Sequence, residues 1–206
     1  MISIIDYGAG NLQSVEKALR YIGCDCCITQ DPKTLMSSDG AVLPGVGSFG
    51  DAMEQLRGRG LEGPIGDFVK TGRPFLGICL GLQILFESSE ESPGVRGLCL
   101  CKGKIVRLPK ESGLKIPHIG WNSLSIKRKG GLFEGVEEEP YVYFVHSYYL
   151  QAQEEIVTAT AEYGATIHAA IQKGNLMACQ FHPEKSGKTG LHLLRNFAAM
   201  MDGKGD

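Results

Sequence analysis

No stretch of this chain approaches the ~18 consecutive apolar residues that a membrane-spanning helix requires. Net charge is also nearly absent, with 21 Lys and Arg against 23 Asp and Glu. The first lack argues against a membrane protein. The second removes any bulk electrostatic reason to expect nucleic acid or an anionic lipid surface as partner. Met1-Ile2-Ser3-Ile4-Ile5 has neither the basic region nor the apolar length of a secretory signal. The seven cysteines make no disulfide framework. Cys99/Cys101 lack the C-x₂₋₄-C spacing of a zinc site; no metal is expected, and these thiols and those of Cys24/Cys26/Cys27 read as small hydrophobes. A reducing compartment, the cytoplasm, is the expected location. Internal repeats and linker-like segments are missing too, so residues 1–206 are expected to form one domain.

Glycine is abundant, 28 of 206 and about twice the usual share, but without a period; it punctuates short apolar runs. In the first half strand and helix patterns alternate. Ile2–Ile5, 24–29, 41–43 and 74–78 read as strands, the third stopped by Pro44-Gly45. Leu12, Val15, Leu19 and Ile22 share one helix face, Phe49, Met53 and Leu56 another, and a helix is expected over 80–87. Between about Leu98 and Phe181 short β-rich runs follow one another, at 105–108, 124–126, 141–145, 155–161, 166–171 and 176–181. The chain ends on a helix with Leu191, Leu194, Ala198 and Met201 on one stripe. This pattern predicts an α/β fold: an open, mixed, mostly parallel sheet flanked by helices, with antiparallel additions in the second half.

Two phosphate-binding motifs fail on context. Gly45-Val46-Gly47-Ser48-Phe49-Gly50 fits G-x-G-x-x-G, but it follows the third strand, and Asp67, about 20 residues on, lies in a helical pattern. Gly187-Lys188-Thr189 resembles the tail of a P-loop, but its leading glycine would fall at His182. A nicotinamide-type cofactor is not expected, nor any other.

Gly77-Ile78-Cys79-Leu80-Gly81 has the form of a nucleophile elbow, with a buried strand before it and an apolar helical pattern after it. Such a turn exposes the thiol of Cys79 at the end of the sheet, near a helix N-terminus that favours thiolate, and frees the N–H of Leu80 for an oxyanion. The same residues also fit a buried cysteine in a glycine-rich turn. His182-Pro183-Glu184 weighs against that reading. A cysteine nucleophile needs a base and the base an orienter; Pro183 holds His182 extended, and Glu184 can reach back to the imidazole. Pro44-Gly45-Val46-Gly47, at another strand end, suits the second half of an oxyanion hole, with Val46 and Gly47 presenting their amides.

These residues, with Gln83 behind the elbow, resemble the triad-type (class I) glutamine amidotransferases. Ile5–Asn11, Leu43–Phe49, Pro117–Asn122, Tyr143–Tyr148 and Phe181–Ser186 are similar, more narrowly, to glutaminase subunits of imidazole glycerol phosphate synthases. The resemblance implies hydrolysis of glutamine by Cys79, His182 and Glu184, and delivery of ammonia to a (β/α)₈-barrel synthase subunit in a heterodimer serving histidine biosynthesis. It further implies that Gly47, Leu80, Gln83, Ser147 and Tyr148 hold glutamine, and that Asn11, Trp121, Tyr143 and Lys185 face the synthase. A free-standing γ-glutamyl hydrolase or cysteine peptidase-like enzyme, and a subunit that only binds, are the alternatives.

Overall fold

The computed structural model describes residues 1–110 and 113–202. Strand β1 (Ile2–Ile5) is buried along its whole length, and its alternate side chains feed two different cores: Ile2 and Ile4 one, Ile5 the other. After α1 (Leu12–Tyr21), β2 (Cys26–Thr29) and α2 (Pro32–Ser37), the same division recurs. In β3 (Gly40–Gly45) Val42 faces the first core and Ala41 and Leu43 the second. Strands buried on both faces and joined by helices are what a parallel sheet demands. Helices α3 (Phe49–Gly58) and α4 (Glu62–Lys70) cover the second core with Phe49, Met53, Leu56, Ile65 and Phe68. α1 covers the first with Val15 and Leu19.

Pro44-Gly45 does not stop β3; both residues pair with β4 (Phe75–Cys79), Pro44 opposite Ile78 and Gly45 opposite Cys79. The amide of Ala41 points to the β4 side, donating to Pro74 O. Alternation turns Pro44 toward β1, whose pairing with β3 ends at Val42, so the missing proline N–H costs no ladder bond. The helix expected over 80–87 is cut to one turn, α5 (Leu80–Gln83). Beyond it the carbonyls of Ile84, Leu85 and Glu87 accept hydrogen bonds from Leu98, Leu100, Cys101 and Gly97 instead of from the next helical turn.

The second half contributes β5 (Ser88–Ser89), β6 (Gly103–Arg107), β7 (His118–Ser123), β8 (Ser125–Ile126), β9 (Tyr141–His146), β10 (Tyr148–Ala152), β11 (Val157–Glu162), β12 (Thr166–Lys173) and β13 (Leu176–Cys179). Among the described residues the main sheet has the order β2-β1-β3-β4-β13-β12-β11-β8. It is parallel from β2 to β13 and antiparallel from there on. The remaining strands do not join it: β10-β6-β5 and β7-β9 are separate small sheets, a difference from the expected additions. The last helix, α6 (Gly187–Asp202), buries Leu193, Leu194 and Phe197 in the first core. Its buried stripe is thus rotated from the one expected, and Leu191, Ala198 and Met201 sit at its margin. Cys99 is exposed and at positive φ, whereas Cys26, Cys101 and Cys179 are buried. Among the described residues no helix is long and apolar enough to cross a membrane.

The order β1-β3 reverses the winding direction of the sheet. Ligands of open α/β sheets bind outside the strand C-termini near such a switch. β3 and β4 end there on Gly45 and Cys79, β1 leads to Tyr7 two residues past its end, and β13 leads to His182.

Candidate active site

Cys79 closes β4 with φ 56° and ψ −109°, a conformation that strains any side chain but glycine and that marks a nucleophile elbow. The flanking glycine is required by space: a β-carbon on Gly81 would overlap the carbonyl oxygen of Leu43. Cys79 is 8% exposed, and its sulfur lies 3.9 Å from Val145 O. The helix behind it has four residues, so the expected dipole is that of a single turn. The Leu80 amide is the first N–H of that turn.

His182 is extended (φ −102°, ψ 96°) and begins the turn Pro183–Lys185. That turn returns Glu184 to the imidazole: Nδ1 donates to Glu184 Oε1 at 2.8 Å, with side-chain exposures of 2% and 1%. The backbone is tied to β9. His182 N donates to Tyr143 O, Ser186 Oγ donates to His182 O at 2.6 Å, and Ser186 Oγ accepts from Tyr143 N at 3.0 Å. Burial opposes the imidazolium, yet the Cys79 sulfur and the Glu184 carboxylate outweigh it and raise the His182 pKa to about 9. Among the described residues, the buried side-chain polar atoms left without a hydrogen-bond partner are His182 Nε2, Glu184 Oε2 and the Tyr7 hydroxyl.

Cys79 and His182 open on a cavity of about 320 Å³. Val46, Gly47, Leu80, Gln83, Ser147 and Tyr148, all singled out from the sequence, line it. So do Glu91, Pro117, Val145 and His146, which the sequence did not single out for this role. Glu91 is fixed by accepting from Phe49 N at 2.8 Å, and Ser92 Oγ accepts from Gly50 N at 2.9 Å. With Ser48 capping the same helix through Asp51 N, the first-turn amides of Phe49, Gly50 and Asp51, which a G-x-G-x-x-G helix would turn toward a pyrophosphate, are already occupied.

Gln180 is a further residue that sequence reading missed. It is 0% exposed, accepts from Gln83 Nε2 at 3.0 Å and presents its own amide to the Cys79 sulfur at 3.7 Å. Gln83 Nε2 also donates to Tyr148 O at 3.0 Å. That carbonyl takes a further hydrogen bond from His146 Nδ1 at 2.9 Å, which fixes the tautomer: His146 Nε2 must accept, and His118 Nδ1 donates to it at 3.0 Å. Burial lowers both rings, His146 to about 3 and His118 to about 4, so both are neutral near pH 7.

Three of the four residues expected to face a partner come together. The Trp121 and Tyr143 rings meet edge-on at 6.1 Å, and Lys185 Nζ lies 5.9 Å above the Tyr143 ring. Trp121 is 55% exposed and Ile119, on the same strand, 59%. Asn11 stands at the start of α1, and its side chain makes no capping bond there.

The family model described as glutamine amidotransferase class-I matches residues 3–201. The imidazole glycerol phosphate synthase subunit HisH of Methanothermobacter thermautotrophicus is 51% identical over 98% of this chain and 99% of its own length. The protein of the same name from Caldanaerobacter subterraneus subsp. tengcongensis is 52% identical over 98% of each chain. Among solved structures, a glutamine amidotransferase superposes with a TM-score of 0.76 (19% identity, 98% of each chain). A chain of PurLQS from Thermotoga maritima gives 0.74 (18% identity, 96% of this chain and 97% of that one). At these identities the structural likeness concerns the fold.

Proposed function

Because the chain belongs to the class-I glutamine amidotransferase family, among the glutaminase subunits of imidazole glycerol phosphate synthase, we propose that it hydrolyses glutamine through Cys79, His182 and Glu184. The ammonia passes to a (β/α)₈-barrel synthase subunit, in a cytoplasmic heterodimer serving histidine biosynthesis. The observation that carries this reading is the strained Cys79 facing a carboxylate-held imidazole across one pocket.

Glutamine enters with its side-chain amide toward Cys79. Glu91 offers a carboxylate for the α-ammonium group, and Gln83, Ser147 and Tyr148 line the remainder. The thiolate attacks the amide carbon, and the carbonyl oxygen becomes an oxyanion held by the Leu80 amide and an amide of Val46 or Gly47. One such donor is worth about 10²–10³ in rate. The His182 imidazolium gives its Nε2 proton to the nitrogen, the C–N bond breaks, and ammonia leaves a γ-glutamyl thioester on Cys79. His182 then takes a proton from water, hydroxide attacks the thioester, and glutamate departs as the thiolate re-forms. Glu184 keeps Nδ1 protonated throughout, so that Nε2 is the nitrogen that exchanges the proton.

The exposed Trp121 and Ile119, with Lys185 one residue from the triad, support a docking face next to the pocket. The test is glutamate release by the isolated chain, and by the chain with the barrel subunit and that subunit's ligand. A strong rise with partner and ligand is expected. Full activity of the chain alone, unchanged by both, favours the free-standing hydrolase; no glutamate under any condition removes the reading.

A further inference from the structure

We propose that the Tyr7 hydroxyl is a positioning group for the oxyanion strand: it stands unpaired in this conformation and donates to the Gly45 carbonyl when the Gly45–Val46 peptide turns its N–H toward the substrate. The inference rests on the glutaminase reading and assigns a role to a residue outside the pocket.

Tyr7 follows β1 and is 0% exposed, yet its hydroxyl has no hydrogen-bond partner. Burying an unpaired hydroxyl is unfavourable, and phenylalanine would fill the same space without that cost. Among the described residues the other two orphaned buried atoms belong to His182 and Glu184, and Tyr7 after β1 and His182 after β13 lie at the same end of the parallel strands.

The hydroxyl is close to the strand end that carries the Gly45–Val46 peptide. A β-carbon placed on Gly45 would stand 2.7 Å from it and 2.8 Å from the Gly81 amide nitrogen. Tyr7 thus reaches Gly45 from behind, in space that only a glycine leaves open. Its own backbone is fixed: Arg59 donates to its carbonyl, and Asp6 accepts from Gly8 N at 2.8 Å and from Gln30 at 2.7 Å. Burial, and then the nearby Cys79 sulfur, raise the pKa of the phenol, so it keeps its proton and can donate.

A planar trans peptide carries its C=O and N–H on opposite sides. Turning the Val46 N–H into the pocket therefore swings the Gly45 C=O into the protein. A buried carbonyl there needs a donor. Tyr7 supplies one that is close to Gly45 and unpaired, so the turned state gains a hydrogen bond that the present state lacks. The tyrosine is linked to the docking end of the fold as well. Four residues on lies Asn11, and in between a β-carbon on Gly10 would approach Pro44 O at 3.3 Å, so the 7–11 loop rides on the oxyanion strand.

The experiment is Tyr7→Phe, assayed in the complex with the barrel subunit and its ligand. Glutamine kcat is expected to fall about tenfold or more with KM within about twofold, the pattern of an interaction made only in the transition state. The thermal midpoint is expected to stay at or above that of the unsubstituted protein, because only an unpaired hydroxyl is removed. An unchanged kcat overturns the proposal, and so does a lowered midpoint, which would mean the hydroxyl has a structural partner. If the unsubstituted complex itself releases no glutamate, the glutaminase reading falls and this inference with it. An active complex with an equally active Phe variant removes only the role of Tyr7.

Discussion

His182 Nδ1 donates to Glu184 Oε1 at 2.8 Å in a place closed to solvent, two residues apart in the chain and joined by a single turn. Because the carboxylate both orients the ring and raises its pKa, Glu184→Gln keeps an acceptor at the same position and loses the charge. Glutamine kcat is expected to drop by about 10²–10⁴, as when a triad orienter is neutralised elsewhere, with KM nearly unchanged. Steady-state kinetics check it; a loss below about threefold would make Glu184 a bystander.

Stability should depend on pH on both sides of the ordinary histidine value of 6.5. His182, raised to about 9, contributes stability that is whole below pH 6.5 and is lost as pH climbs to 9. His118 and His146, lowered to about 4 and 3 by burial, contribute above pH 6.5 and lose that contribution as pH falls toward those values. A thermal midpoint that peaks near neutrality and falls on each side is expected. His118→Phe, which keeps the stack on Tyr163 and Phe144, should make the acid limb shallower. An acid limb unchanged by this substitution would show that the histidine pair does not set it.

Gln180 joins Gln83 to the Cys79 sulfur without touching solvent. Gln180→Leu leaves one Gln83 hydrogen short of an acceptor, a cost of about 1–3 kcal/mol. It also frees the Gln83 side chain inside the pocket. Lower stability in urea together with a raised KM for glutamine is the expected result. A destabilised protein with unchanged KM would confine Gln180 to packing.

Lys185 follows Glu184 directly and stands over the Tyr143 ring beside Trp121. In a docked complex a desolvated ion pair there costs about 2–5 kcal/mol when one side is removed, against ~0–1 for a solvated surface pair. Lys185→Glu is expected to weaken association and to raise the ratio of glutamate to synthase product above one, with ammonium-driven synthesis intact. A ratio still near one, at unchanged affinity, would return Lys185 to the solvent.

The parts of the site that were legible in the sequence are those carried by backbone geometry. Gly77-x-Cys79-x-Gly81 announces a turn that only glycines can flank, and His182-Pro183-Glu184 announces an extended residue with an acid two positions on. The parallel strands were legible because burial on both faces leaves continuous apolar runs. What escaped depends on contacts between distant segments. The truncation of the 80–87 helix is set by the 97–101 loop, which takes its carbonyls. Gln180 is one position in an apolar strand run, and only the fold shows that it faces Gln83 and Cys79. Strands β7 and β10 carry too many polar and aromatic residues to stand out by alternation. The unpaired Tyr7 hydroxyl has no signature in sequence at all, because lacking a partner is a property of the packed protein.

Replacing Cys79 by alanine in the complex with the barrel subunit, and measuring product formed from glutamine and separately from an ammonium salt, tests the central claim most directly. The account predicts that glutamine-dependent turnover falls by several powers of ten while ammonium-dependent turnover stays at the unsubstituted level, since Cys79 serves only the release of ammonia. Glutamine-dependent turnover near the unsubstituted rate would contradict it, and the strained elbow would then be a structural turn in a protein whose nucleophile lies elsewhere.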